Sequence, residues 1–222
     1  MPLRYEPCRG NKFNRISASD VGEIFRDLSK SAPHLHTLCI GDGFPIHEDF
    51  LYDTGRLRRV ELNHCEIRWD SRLLTRLTRL TLRDSLKANT SVIQVSRALQ
   101  RMPALTEFHL VNSLPDDSGG ASTIPVVDLP CLRMLHISSW VGPLTTFLRH
   151  ITFSHSAILN LTCKEKFAQI DFSNFLSVLA TKFCYPWSFE AFKLVCKMMD
   201  TVSNSTYGQP HLFRTAFHLH LP

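Results

Sequence analysis

Apolar residues along this chain recur in a short phrase of the form L-x-x-L-x-L. The first copies read Leu35, Leu38, Ile40; then Leu57, Val60, Leu62 with Cys65; then Leu77, Leu80, Leu82. They continue as Leu105, Phe108, Leu110 and Leu132, Leu135, Ile137, with a degenerate sixth copy carried by Leu159 and Leu161. Two later stretches have the same outline: Phe189, Phe192, Leu194 and Ala216, Leu219, Leu221. Within each copy the apolar residues alternate with a period of two, so each copy predicts a short β-strand with one buried side. Between copies the pattern changes to helical spacing. Ser91 is placed to cap a helix running from Val92 to Met102, with Val92, Val95, Leu99 and Met102 on one side and Pro103 ending it. A helix opening at Ser19 or Asp20 would carry Ile24 and Leu28 on one side. Another over 171–182 would have Phe172, Phe175, Leu176 and Leu179 as its stripe. The polar run 116–123 predicts a surface loop.

Successive copies among the first five begin 22, 20, 28 and 27 residues apart. Most of these periods fall in or near the span of about 20–29 residues that marks a leucine-rich repeat. A Leu-rich chain produces one such phrase by accident, but five in register are a different matter. Three of them also follow a proline placed two positions before the first apolar residue, at Pro33, Pro103 and Pro130. The predicted fold class is therefore α/β: an irregular leucine-rich-repeat solenoid with a parallel concave sheet and helices or turns on the convex side. Residues 1–31 form an N-terminal flank with one helix, and 32–222 the repeat domain, with its best copies in 32–163 and degenerate ones in 164–222. Repeats of this kind bury their apolar side only by stacking, and arrays end in polar caps. No such cap is evident at either end, so a longer array, or ends that pair with something, is the expectation.

Composition alters this picture little. Hydrophobic residues at 44% and charged residues at 20% suit a folded protein. The net charge of +5 is spread rather than gathered in a stripe, which argues against nucleic acid as the partner. No run approaches the ~18 apolar residues that a membrane span requires, and the first six residues are too polar for a signal peptide. Seven cysteines, odd in number and without a CxxC pair, are expected to be reduced thiols in a cytoplasmic or nuclear protein. The sequons at Asn89, Asn160 and Asn204 are then chance matches.

The stretch from Leu57 to Leu82, and within it Trp69-Asp70-Ser71-Arg72-Leu73-Leu74-Thr75-Arg76-Leu77-Thr78-Arg79-Leu80-Thr81-Leu82, resembles the leucine-rich-repeat half of F-box-like proteins of mushroom-forming (basidiomycete) fungi. The runs Leu99-Gln100-Arg101-Met102-Pro103-Ala104-Leu105, Leu129-Pro130 with Leu132, and Phe147-Leu148 with His150-Ile151-Thr152-Phe153 agree with it. The resemblance covers about residues 32–163. It implies the substrate-reading part of a ubiquitin-ligase receptor. Nothing in 1–31 matches an F-box, so docking on a Skp1-type adaptor is expected only if an F-box lies outside this chain.

In such repeats the residues between the buried ones project from the strands to the concave face. Six copies give three rows: Thr37, Arg59, Arg79, Glu107, Met134, Ile158; Cys39, Glu61, Thr81, His109, His136, Asn160; and Gly41, Asn63, Arg83, Val111, Ser138, Thr162. The candidate binding residues are Arg59, Glu61, Arg79, Thr81, Arg83, Glu107, His109, Met134 and His136. Arg59, Arg79 and Arg83 concentrate positive charge and could grip a carboxylate or phosphate. Glu61 and Glu107 stand close enough to make the same face a charge-balanced one. His109 and His136 share a row about 5 Å apart, the spacing of adjacent strands, but Thr81 and Asn160 beside them supply no third metal ligand.

No nucleophile elbow, phosphate loop, H-E-x-x-H or dinucleotide glycine pattern occurs. Cys65 beside His64 is better read as the residue that hydrogen-bonds the turn after the strand than as a nucleophile. The expectation is a non-enzymatic protein–protein interaction module with no cofactor and no metal. The alternatives are a hydrolase with a site scattered over the repeats, or a truncated structural relict without a partner.

Overall fold

The computed structural model describes residues 33–41, 46, 55–85, 90–115, 125–154, 156–166, 173–183, 192–199 and 214–215. The helix expected near Ser19, the loop at 116–123 and the residues Phe189, Ala216, Leu219 and Leu221 lie outside them.

Each apolar phrase among the described residues forms a strand. They are β1 (Thr37–Ile40), β2 (Arg59–Asn63), β3 (Arg79–Arg83) and β4 (Glu107–Val111). A short β5 (Val127–Leu129) precedes β6 (Met134–Trp140), and β7 (Ile151–Phe153) precedes β8 (Ile158–Lys166). β9 (Phe192–Met199) and β10 (Arg214–Thr215) follow. Eight of them make one sheet in the order β1-β2-β3-β4-β6-β8-β9-β10, so each new strand is added beside its predecessor in the chain. All neighbours are parallel except β10, which runs antiparallel to β9. β5 and β7 leave this order and pair with each other.

A chain of backbone bonds sets the register. The carbonyl of His36 accepts from the amides of Arg58 and Arg59, and that of Arg58 from Thr78 and Arg79, all at 2.8–3.1 Å. The carbonyl of Thr78 accepts from Thr106 and Glu107, that of Thr106 from Arg133 and Met134, and Arg133 from Ile158, at 2.7–3.1 Å. The carbonyl before each of β1 to β4 is thus used twice, and that of Arg133 before β6 receives Ile158. Leu38, Val60, Leu80, Phe108, Leu135, Leu159 and Phe192 consequently fall in one row, and Ile40, Leu62, Leu82, Leu110, Ile137, Leu161 and Leu194 in another. From Val60 to Leu135 and from Leu62 to Leu161 these rows are fully buried.

Helices cover that side. α1 (Val92–Gln100) is capped by Ser91, whose hydroxyl accepts from the Gln94 amide at 3.4 Å while the Gln94 side chain accepts from the Ser91 amide at 3.1 Å. This reciprocal capping box satisfies two helix-end donors. Val92, Val95, Ala98 and Leu99 face the core. The chain leaves the helix at Arg101, whose guanidinium donates to the carbonyls of Trp69 and Asp70.

α2 (Val141–Arg149) is absent from the sequence reading. It follows β6 directly, has no side-chain cap, and carries Gly142 and Pro143 in its first turn. Those residues read as breakers, yet a proline there forfeits only an amide that has no helical partner. Val141, Leu144, Thr145, Phe147 and Leu148 are its buried side.

α3 (Ser173–Phe183) matches the expected third helix with a corrected stripe. Phe175, Val178 and Leu179 are buried, whereas Leu176 is 52% exposed. Positions 175, 178 and 179 are one helical face, and Leu176 lies a quarter turn away from Phe175. Phe172 lies outside the described residues. α2 packs against both α1 and α3, and all three helices share one core with the buried strand rows.

Phe108 sits at 0% exposure in the middle of that core, with its ring centroid 6.2 Å from that of Phe147 on α2. Phe108→Ala should lower unfolding free energy by about 3–5 kcal/mol. Val126→Ala, at a side chain 63% exposed, should stay within about 0.5 kcal/mol. Denaturant titration of the two variants beside the wild type checks this.

Candidate functional site

The strand pleat that buries the leucine rows sends the alternate residues to the other side of the sheet. The pairing there places Thr37, Arg59, Arg79, Glu107, Met134 and Ile158 in one line. Cys39, Glu61, Thr81, His109, His136 and Asn160 form the next. Asn63, Arg83, Val111, Ser138 and Thr162 form the third. The nine residues singled out from the sequence therefore lie together on one face of β2, β3, β4 and β6.

The middle row is the most sheltered. Glu61 is 4% and His109 7% exposed, and Thr81 between them is also buried. The flanking row is more open, with Arg79 exposed and Arg59, Glu107 and Met134 half-buried. Arg59 pairs with Glu61 two residues along the same strand at 3.5 Å, and Arg79 with Glu107 on the next strand at 3.1 Å. The charge-balanced alternative is thus seen in these two ion pairs.

His109 and His136, register partners on β4 and β6, lie with ring planes within 8° of parallel and centroids 5.6 Å apart. Burial pushes the His109 imidazole down to about 4, and the positive fields of His136, Arg83, Arg59 and Arg79 push in the same direction. His109 is therefore a neutral group at pH 7, surrounded by fixed cations. Among the described residues no three His, Cys, Asp or Glu side chains gather as metal ligands.

At the C-terminal ends of the strands a second set of residues repeats, which sequence reasoning caught only at Cys65. His64, Asp84 and Asn112 each follow a strand and each take a positive φ, 55°, 48° and 51°. Their amides donate to Arg83, Val111 and Ser138 at 2.8–2.9 Å. The next residues turn a side chain back on the strand just left. Cys65 donates its thiol to the Asn63 carbonyl at 3.2 Å, Ser85 its hydroxyl to Arg83 at 2.8 Å, and Ser113 its hydroxyl to Val111 at 2.9 Å. The expected turn-holding role of Cys65 is what its geometry shows. The signal for the whole set was available as Asn63-His64-Cys65, Arg83-Asp84-Ser85 and Val111-Asn112-Ser113.

Across these turns the Asn112 amide donates to the Asp84 carboxylate at 2.8 Å, and the Lys164 ammonium donates to the Asn112 carbonyl oxygen. The contact from Lys164 spans 52 residues of sequence. No short motif announces it.

Comparison with protein-family models, with curated proteins and with solved structures found no match. Among the described residues no helix is long and apolar enough to cross a membrane.

The depressed titration of His109 ties stability to pH. Its folded-state value lies below the ordinary 6.5, so the unfolded chain binds the proton first. The associated stability is complete above about pH 6.5 and is lost as pH falls through about 4, a total of roughly 3 kcal/mol at 1.36 kcal/mol per unit. His109→Gln should flatten this part of a stability-versus-pH curve, and the His109 ring protons should titrate near pH 4 by NMR. A ring titrating near 6.5 would contradict the shielded environment described above.

Proposed function

We propose that this chain is a leucine-rich-repeat solenoid serving as a non-enzymatic protein–protein interaction module, and that it binds its partner across the face formed by the three outward rows. The observation that carries the reading is the unbroken register from β1 to β8. It fixes the spacing of side chains along each row at the interstrand distance of about 4.8 Å, with their backbones held by the sheet. A preorganised surface loses less entropy on binding than one built from loops. Its chemistry is also that of recognition: paired arginines and glutamates, a stacked imidazole pair, and half-buried Met134 and Ile158 at one side. Arginine is among the residues enriched at interface hot spots.

A hydrolase with residues scattered over the repeats receives less support. The Cys65 thiol is buried and donates to a backbone carbonyl, and His109 is recessed and faces His136 and three arginines. The resemblance to fungal F-box-like proteins gives the module a context: substrate recognition in a ubiquitin-ligase receptor. A Skp1-type adaptor would be held by an F-box outside this chain.

Two measurements test the reading. An Arg59→Ala, Arg79→Ala, Arg83→Ala variant, shown to be folded by circular dichroism, should recover a cross-linked partner from extract at least ~10-fold less well, equivalent to about 1.4 kcal/mol. Equal recovery would remove this face as the binding surface, and no specific partner for either protein would favour the relict reading. Gel filtration with a Skp1-type adaptor should show no complex with this chain.

A further inference from the structure

We propose that the rim of the sheet where β1, β2 and β3 begin is a second contact surface, and that it holds an acidic segment of a protein partner. Its residues are His34, His36, Arg56, Arg58 and Arg76. They lie outside the three outward rows, so this surface goes beyond the recognition face and does not depend on it.

Parallel pairing puts the strand starts on one rim and the strand ends on the other. Whatever precedes a strand in sequence therefore gathers on the first rim. His34 and His36 precede β1, Arg56 and Arg58 precede β2, and Arg76 precedes β3, all of them exposed. Exposed acids of the same repeats follow their strands instead: Glu66 and Asp70 after β2, and Asp84 after β3. Asp70 is engaged by Arg68 at 2.7 Å and Asp84 by Asn112 at 2.8 Å.

The donors on the first rim are open. Among the described residues the Arg76 side chain has no hydrogen-bond or ionic partner. Arg56 reaches only the His34 ring, at 3.4 Å, and Arg58 only the carbonyls of Gly55 and Leu57 in its own turn. A guanidinium carries five N–H donors, so each of the three keeps a pair for a carboxylate. Neighbouring strand mouths are one interstrand step apart, about 4.8 Å, so these side chains act on one short stretch of chain.

The backbone of Arg76 points the same way. Among the described non-glycine residues with positive φ, His64, Asp84 and Asn112 leave strands, whereas Arg76, at 56°, leads into one. A glycine takes this conformation without the cost that a Cβ imposes. Exposed and unpaired, the arginine side chain makes no polar contact among the described residues to offset that cost. The five rim residues include no Phe, Tyr or Trp on which a base could stack, which favours an acidic polypeptide over a single-stranded nucleic acid.

NMR titration of the full chain tests this. The probe is a capped peptide with glutamates at alternate positions, which an extended segment presents on one side. It is run beside the glutamine version and a single-stranded oligonucleotide of equal charge. The glutamate peptide should shift the amide signals of Arg56, Arg58 and Arg76 most, and its binding should weaken as salt is raised. Arg56→Ala, Arg76→Gly should cost at least ~5-fold in affinity, the scale of one exposed ion pair, whereas Arg97→Ala, at an exposed arginine on α1, should not. Arg76→Gly alone should weaken the peptide while leaving the denaturation midpoint equal or higher, which separates a lost contact from a lost fold. Unchanged peptide affinity in that variant, or a lowered midpoint, would overturn the proposal. So would the absence of shifts at the rim, equal shifts with the glutamine peptide, or tighter binding of the oligonucleotide. Shifts confined to the outward rows would overturn the rim while leaving the recognition face standing.

Discussion

A doubly used carbonyl at the mouth of each of the first four strands is the contact on which the rest of the molecule depends. His36, Arg58, Thr78 and Thr106 each accept two amides from the following strand, and Arg133 accepts the amide of Ile158. Side chains alternate across a strand, so a slip of one residue would exchange every buried leucine for an outward polar residue. Such a slip would expose Leu80 and Leu82 and bury Arg79 and Arg83. At about 25 cal/mol per Å² of apolar surface, the exchange is prohibitive. Backbone bonds and hydrophobic burial therefore specify the same register, and the outward rows inherit it without any contact of their own.

The repeat strands were legible because they obey a simple alternation that survives substitution of Leu by Val, Ile or Phe. The composition of the outward rows followed from that alternation, and the pairing places all of those residues except Gly41, which lies one position beyond β1. Three things were hidden. α2 begins with Val141-Gly142-Pro143, where local residues speak against a helix and only the buried side of Leu144, Phe147 and Leu148 supports one. The pairing of β5 with β7 is a contact between distant short strands with no signature of its own. Burial within the outward face also escaped, since nothing in the order of residues says that Glu61 and His109 would be sheltered while Arg79 stays exposed.

That sheltering changes what the charges do. Arg79 and Glu107 meet near water, where an ion pair contributes at most about 1 kcal/mol. Glu61 and His109 are withdrawn from water, and a fixed arginine field acts on His109 with less screening. The outward face thus contains a flanking row whose ion pair can exchange partners cheaply and a middle row in which His109 stays neutral at pH 7. The sheet is the reason: it brings His109 and His136 side by side on neighbouring strands whether or not their charges would favour it.

The contacts from Asp84 through Asn112 to Lys164 reach from β3 to β8 over the end of β6. Backbone pairing joins only adjacent strands, so shearing one strand along its neighbour strains a single interface. A tie that spans several strands shares that load among them. It acts as a cross-brace over the ends of β3, β4, β6 and β8.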